Sequence, residues 1–221
     1  MHLAVTRQEN LKINALAGTG KTSTLRAIAH NLPQKKVLYL AFNKSVQTEA
    51  SESFPKNVYA RTIHSLAYRS MSIFEAHWQT KLGIRHTIKD YAQMLGLDLR
   101  AGRTIKTIYC LREAIRAFQS SGDLLPSSQH IPPPELRSIK SSTERTWIRE
   151  IVDTYAPRLW ASMIDPTKAT FGITHDTYLK LWQLSGAKIS GVDLIMLDEA
   201  QDANPVMMDI LKKLDFYQQN I

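Results

Sequence analysis

Near the start of the chain, apolar residues come in short unbroken runs separated by polar and glycine-rich stretches. Leu11 to Leu16 predicts a short strand that leads into glycines. Ser23 to Asn31 has helical spacing and stops at Leu32-Pro33. Lys35-Lys36 leads into Val37-Leu38-Tyr39-Leu40-Ala41-Phe42, an apolar run of strand length. Asn43 is a candidate cap for the helix that follows, through about Ser51. Val58-Tyr59-Ala60 predicts a third strand, and Thr62 opens another helix. Strands apolar on both faces, alternating with helices, predict a parallel sheet.

The pattern changes after about Ser72. Residues 73 to 185 read mostly as helix and loop. Ile105, Ile108, Leu111, Ile115 and Phe118 recur at helical spacing between Thr104 and Gln119. Trp147, Ile148, Ile151, Val152, Tyr155, Leu159, Trp160 and Met163 do so between Glu144 and Met163, where Pro157 is expected to kink or divide the helix. Gly122 to Pro134 is a polar, proline-rich connector. Strand character then returns in Leu194-Ile195-Met196-Leu197, and Val206 to Leu214 predicts a helix with Pro205 in its first turn. The chain therefore reads as a parallel-sheet domain interrupted by a helical insertion. Its parts are residues 1–72, 73–188 and 189–221.

Composition narrows this picture modestly. The 221 residues are 43% hydrophobic and 22% charged, as in ordinary globular proteins. No apolar run is long enough for a transmembrane helix, and residues 1–8 lack the core of a signal peptide. A single cysteine, Cys110, excludes an internal disulfide and reads as a buried bystander. These features point to a cytoplasmic protein, or a nuclear one in a eukaryote. The net charge of +8 fits either a solvated basic surface or a footprint for a polyanion.

The chemistry lies in two short stretches. Gly18-Thr19-Gly20-Lys21-Thr22 stands between a predicted strand and a predicted helix. It is either a flexible turn or a phosphate cradle. A cradle needs small residues that let backbone N–H groups turn inward, a helix N-terminus, a lysine for the outer phosphates and a hydroxyl for Mg²⁺. The strict pattern has glycine where this chain has Ala15. Asp198 and Glu199 directly follow the last apolar strand. Taken alone they are loop acids or the cap of the next helix. Taken with the glycines, they supply a carboxylate for Mg²⁺ and a base for an attacking water, at the carboxyl end of a parallel strand. The pairing favours a nucleotide site. For a nucleic-acid track, Lys44 and Arg61 are candidate phosphate contacts, and Phe42 or Tyr68 candidate stacking rings. Phe42 reads equally as the end of a buried strand, and His64 as a packing or capping residue.

Four segments in order resemble superfamily-one DNA helicases of the UvrD/Rep type, most closely the F-box DNA helicase branch. Asn14 to Thr22 is similar to motif I, Ala41 to Ser45 to motif Ia, and Asp198 to Asp202 to motif II. Arg61 to Ala67 is similar to the threonine-aromatic-histidine motif, with Ile63 in place of the aromatic residue. Thr174 to Trp182 also resembles the segment preceding motif II in that branch. The resemblance implies a P-loop NTPase of RecA-like fold whose helical insertion helps grip single-stranded DNA. It implies that ATP lies against Ala17, Gly18, Thr19, Gly20, Lys21, Thr22 and Ser23, with Thr22 and Asp198 at Mg²⁺. Glu199 is implied as general base, Lys21 as phosphate contact and Gln201 as the γ-phosphate sensor. Phe42, Asn43, Lys44, Thr62, His64 and Ser65 are implied along the DNA.

The chain departs from that family in two places. Gln8, the candidate for the adenine-selecting glutamine, lies only about four residues before the first predicted strand. The chain also stops some twenty residues after motif II, so motifs III to VI are not in it. A C-terminal RecA-like domain carrying the arginine fingers is expected as the missing partner in the full protein. Two other functions stay open on the sequence: a fragment of an RNA helicase, and a stand-alone nucleotide- or DNA-binding module without motor activity.

Overall fold

The computed structural model describes residues 10–14, 19–168 and 170–218. They fall into two compact units. One holds residues through 66 together with 188–203, and the other holds 67–187 together with those from 204 onward.

The first unit is built on a parallel sheet. Helix α1 (Lys21–His30) precedes β1 (Val37–Ala41), then come α2 (Lys44–Ser53) and β2 (Val58–Thr62), and β3 (Leu194–Leu197) joins from the far end of the chain. The strand order is β2-β1-β3, all parallel. All five residues of β1 are buried, as its unbroken apolar run requires of a central strand. Val37, Tyr39, Ala41, Ala60 and Met196 meet Ala29 of α1 and Ala50 of α2 in one core, with Phe54 packed 4.8 Å from the Tyr39 ring. Asn43 caps α2, its side chain accepting from Val46 N at 2.9 Å. Leu11–Asn14, the described part of the first predicted strand, lies outside any strand; the rest of that segment, with Ala15, Ala17, Gly18 and Gln8, lies outside the described residues.

The second unit is helical. Helix α3 (Ile63–Ser70) leads into it, followed by α4 (Ala76–Gln79), α5 (Ile88–Leu95), α6 (Gly102–Ser120), α7 (Pro133–Ser138), α8 (Ser142–Ile164), α9 (His175–Leu184) and α10 (Pro205–Gln218). The long helices α6 and α8 pack together through Ile108, Leu111, Ile115 and Phe118 on one side and Ile148, Val152 and Trp160 on the other. Phe118 meets Trp160 edge-on at 5.2 Å. Helix α8 runs undivided through Pro157. Ile105, assigned to the apolar stripe by spacing, is 42% exposed, on the same outer face as Tyr109. Cys110 is buried, and desolvation pushes its thiol up to about 11.

Two buried lysines tie this unit together. Lys81 donates to the carbonyls of Ser162 (2.9 Å) and Asp165 (2.8 Å) and to that of Lys168, closing the C-terminal end of α8. Lys180 donates to Ser121 O (3.0 Å) and Asp123 O, and its ammonium lies 4.3 Å from the Phe118 ring centre. Burial lowers Lys180 to about 8. Lys180 stands on α9, which begins at Thr174 with a capping box closed by Thr177. Among the described residues, no helix is long and apolar enough to cross a membrane.

Candidate nucleotide site

The sheet register brings the sequence-predicted residues to one edge. Ala41 pairs with Thr62, and Leu40 with Leu197. Residues 42–44, 63–65 and 198–199 therefore all leave neighbouring parallel strands at their carboxyl ends, the edge where open α/β sheets hold ligands. Helix α1 presents its N-terminus in the same unit. Gly20 precedes it with φ +81°, a left-handed turn that favours glycine. No side chain caps this N-terminus and no acid stands in its first turn. The helix itself therefore supplies no anion to its positive dipole end.

Across 176 residues of sequence, Thr22 Oγ1 donates to Asp198 Oδ2 at 2.9 Å. The same carboxylate oxygen accepts from Tyr39 Oη at 2.6 Å, and Oδ1 accepts from Glu199 N at 2.9 Å. Asp198 is only 7% exposed, so three donors hold a nearly buried carboxylate in one orientation. Burial, then the bond to Asp198, pushes the Tyr39 phenol far above its usual range, which keeps it a donor. Glu199 adopts φ +50° and ψ +45°, which costs a non-glycine residue about 1–2 kcal/mol. Its carboxylate lies 3.6 Å from Lys21 Nζ and accepts from Gln201 Nε2. Lys21, Thr22, Asp198, Glu199 and Gln201 are thus brought together; Ser23 is exposed in the first turn of α1, and Thr19 is exposed just before it.

These residues fit a magnesium-bound phosphate chain. Oxygens that are neighbours in an octahedral shell about 2.0–2.1 Å from Mg²⁺ lie about 2.9 Å apart. Thr22 Oγ1 and Asp198 Oδ2 stand at that separation. Among the described residues, no group of three or more His, Cys, Asp or Glu side chains could hold a metal alone. A magnesium ion here would draw its other ligands from phosphate and water, its usual habit.

The residues assigned to a DNA track are arranged along the neighbouring strand ends. Phe42 directly follows β1 and is 50% exposed, so it is not buried with the strand. Asn43 is occupied by its cap, and Lys44 is exposed with a 3.3 Å bond to Gln47. Ser65 N donates to Thr62 Oγ1 at 3.2 Å, and Ser65 Oγ to Thr62 O at 2.8 Å, tightening the turn from β2 into α3. His64 is half-buried. Arg61 donates to Ala60 O at 2.8 Å. Tyr68 belongs to the helical unit, where it packs edge-on against Tyr178.

Tyr39 is the residue that sequence reading missed. It looked like one more apolar position in β1. Its signal is chemical: a phenol in a run otherwise made of aliphatic residues needs a polar partner when buried. Tyr39→Phe leaves an oxygen of Asp198 one donor short. The expected result is a loss of about 1–3 kcal/mol in unfolding free energy, measured by urea denaturation, with weaker magnesium dependence of nucleotide binding. An unchanged midpoint would show that Thr22 and Glu199 N suffice.

Comparison with known proteins gives three findings. Residues 2–221 match the AAA domain family. The chain is 33% identical over 220 residues to F-box DNA helicase 1 of Gallus gallus, covering 94% of this chain and 21% of that protein. It is 30% identical over 216 residues to F-box DNA helicase protein 1 of Schizosaccharomyces pombe, covering 92% of this chain and 24% of that protein. The chain thus spans less than a quarter of the length of either relative. No solved structure matches it.

Proposed function

We propose that this chain, which belongs to the AAA domain family, is the nucleotide-binding portion of an ATP-dependent single-stranded-DNA helicase or translocase with a RecA-like sheet. The observation that carries the proposal is the 2.9 Å contact between Thr22 and Asp198. It joins the N-terminus of α1 to the carboxyl end of β3, and these two residue types at that spacing suit one magnesium ion. The glycine turn and the uncapped helix N-terminus suit phosphate oxygens. Lys21 serves as the point charge for the outer phosphates, and Asp198 and Thr22 hold the magnesium, which neutralises charge on the phosphoryl oxygens. Glu199 orients the attacking water and accepts its proton. Gln201, bonded to Glu199, reports the state of that carboxylate to the adjoining turn.

DNA as the track rests on the F-box DNA helicase relatives and on the edge occupied by Phe42, Lys44, Thr62, His64 and Ser65. Phe42 offers an exposed ring for stacking and Lys44 an exposed charge. Fluorescence anisotropy with oligothymidine is expected to show binding that weakens steeply with salt, with a log–log slope of about −0.7 for each phosphate neutralised. Lys44→Ala is expected to make that slope shallower by about one contact. No binding at low salt would remove DNA from the account, and equal or tighter binding of the matching oligouridine would redirect it to RNA.

A further inference from the structure

The helical unit carries a groove of about 850 Å³ between α7, the single turn Ser128–His130 that precedes it, and the first half of α8. Ile131, Pro133 and Leu136 form its apolar lining, and Arg137, Arg145 and Arg149 its charged lining. No carboxylate lines it. The nearest acid on that face of α8 is engaged elsewhere: Asp153 accepts from Ser128 N at 2.6 Å and from Ser128 Oγ at 2.9 Å, pinning the groove's rim.

The arginines are largely uncommitted. Arg145 uses one guanidinium nitrogen on the carbonyls of Ile139 (2.6 Å) and Lys140 (3.2 Å), which anchors it. Among the described residues, Arg137 makes only a 3.4 Å bond, to Pro133 O in its own helix. Arg149 is exposed and has no hydrogen bond or ion pair with any described residue. It lies four residues from Arg145, so both project from one face of α8. Three like charges gathered around an apolar floor repel one another, and an anionic ligand relieves that repulsion.

We propose that this groove docks an acidic peptide segment of a partner protein. An aliphatic side chain of the segment rests on Ile131, Pro133 and Leu136, and flanking carboxylates meet Arg137, Arg145 and Arg149. Guanidinium forks match carboxylates two bonds at a time, and the groove's volume is that of a ligand-sized site. A nucleic-acid strand suits the groove less well. Strand binding relies on aromatic rings that stack bases, and no ring lines this one.

The test titrates the chain into a fluorescein-labelled peptide with a Glu-Asp-Leu-Glu-Asp core, read by anisotropy. Arg137→Glu with Arg149→Glu reverses two exposed charges and leaves the anchored Arg145 in place. Saturable binding is expected, weakened at least about tenfold in the double variant and also when the peptide leucine becomes serine. An unchanged thermal melt of the double variant confirms that the loss is local. No binding to the wild-type chain, or equal binding to the double variant, overturns the proposal. So does oligothymidine that displaces the peptide and itself loses affinity in the double variant, because the groove then belongs to nucleic acid.

Discussion

Lys21→Ala is expected to lower the affinity of the chain for magnesium ATP by about ten- to a hundredfold. Lys21 is the first residue of α1 and reaches Glu199 at 3.6 Å, so its ammonium stands where the helix N-terminus and the acids of β3 converge. A charge-assisted hydrogen bond is worth roughly 1.5–3 kcal/mol, and 1.4 kcal/mol is tenfold in affinity. The fold does not depend on this side chain, because the core beside it is made by Ala29, Val37, Tyr39 and Met196. Isothermal titration calorimetry reads the change. Equal affinity in wild type and variant would mean that the glycine turn does not present a nucleotide to Lys21.

A second large effect is expected in turnover. The chain by itself is expected to hydrolyse ATP slowly, far below the rate of a working motor, and not to separate strands. In the proposed mechanism its acids serve magnesium and water, but charge developing on the γ-phosphoryl group needs an opposing cation. Arginines that supply it raise rates by roughly 10³–10⁵. In the described part of the nucleotide-site unit, Arg26 lies over the Phe54 ring and Arg61 donates to Ala60 O, so neither is directed at Glu199 or Lys21. Steady-state ATPase assays with and without oligothymidine check this. DNA-stimulated turnover of several per second, abolished by Glu199→Gln, would show that the chain completes its own site.

Much of the candidate nucleotide site was legible because its residue types are demanded by local chemistry. The apolar run Leu194–Leu197 formed the strand its pattern predicts, with Met196 in the core and Asp198-Glu199 at its carboxyl end. The parallel sheet placed them beside Lys21 and Thr22, and the Asn43 cap formed as its position after β1 required. The motif order that resembled F-box DNA helicases is matched by 30–33% identity to two of them. Other features were not legible, for physical reasons. Tyr39 hid in an apolar run because hydrophobic patterning does not register a phenol's partner. Nothing in the apolar pattern marks Lys81 or Lys180 as interior, yet both are buried against carbonyls supplied by distant turns. The arginine groove draws on residues from three elements, and no spacing rule links Ile131 to Arg149.

The central claim is that Thr22 and Asp198 hold one magnesium ion against a bound nucleotide. The direct measurement is calorimetric titration of ATP with and without magnesium, for wild type and for Asp198→Asn. Asparagine keeps the size of the side chain and removes its charge. The account predicts that magnesium tightens ATP binding to the wild type by at least about tenfold, and that most of this gain disappears in the variant. The same magnesium dependence in both proteins would contradict it.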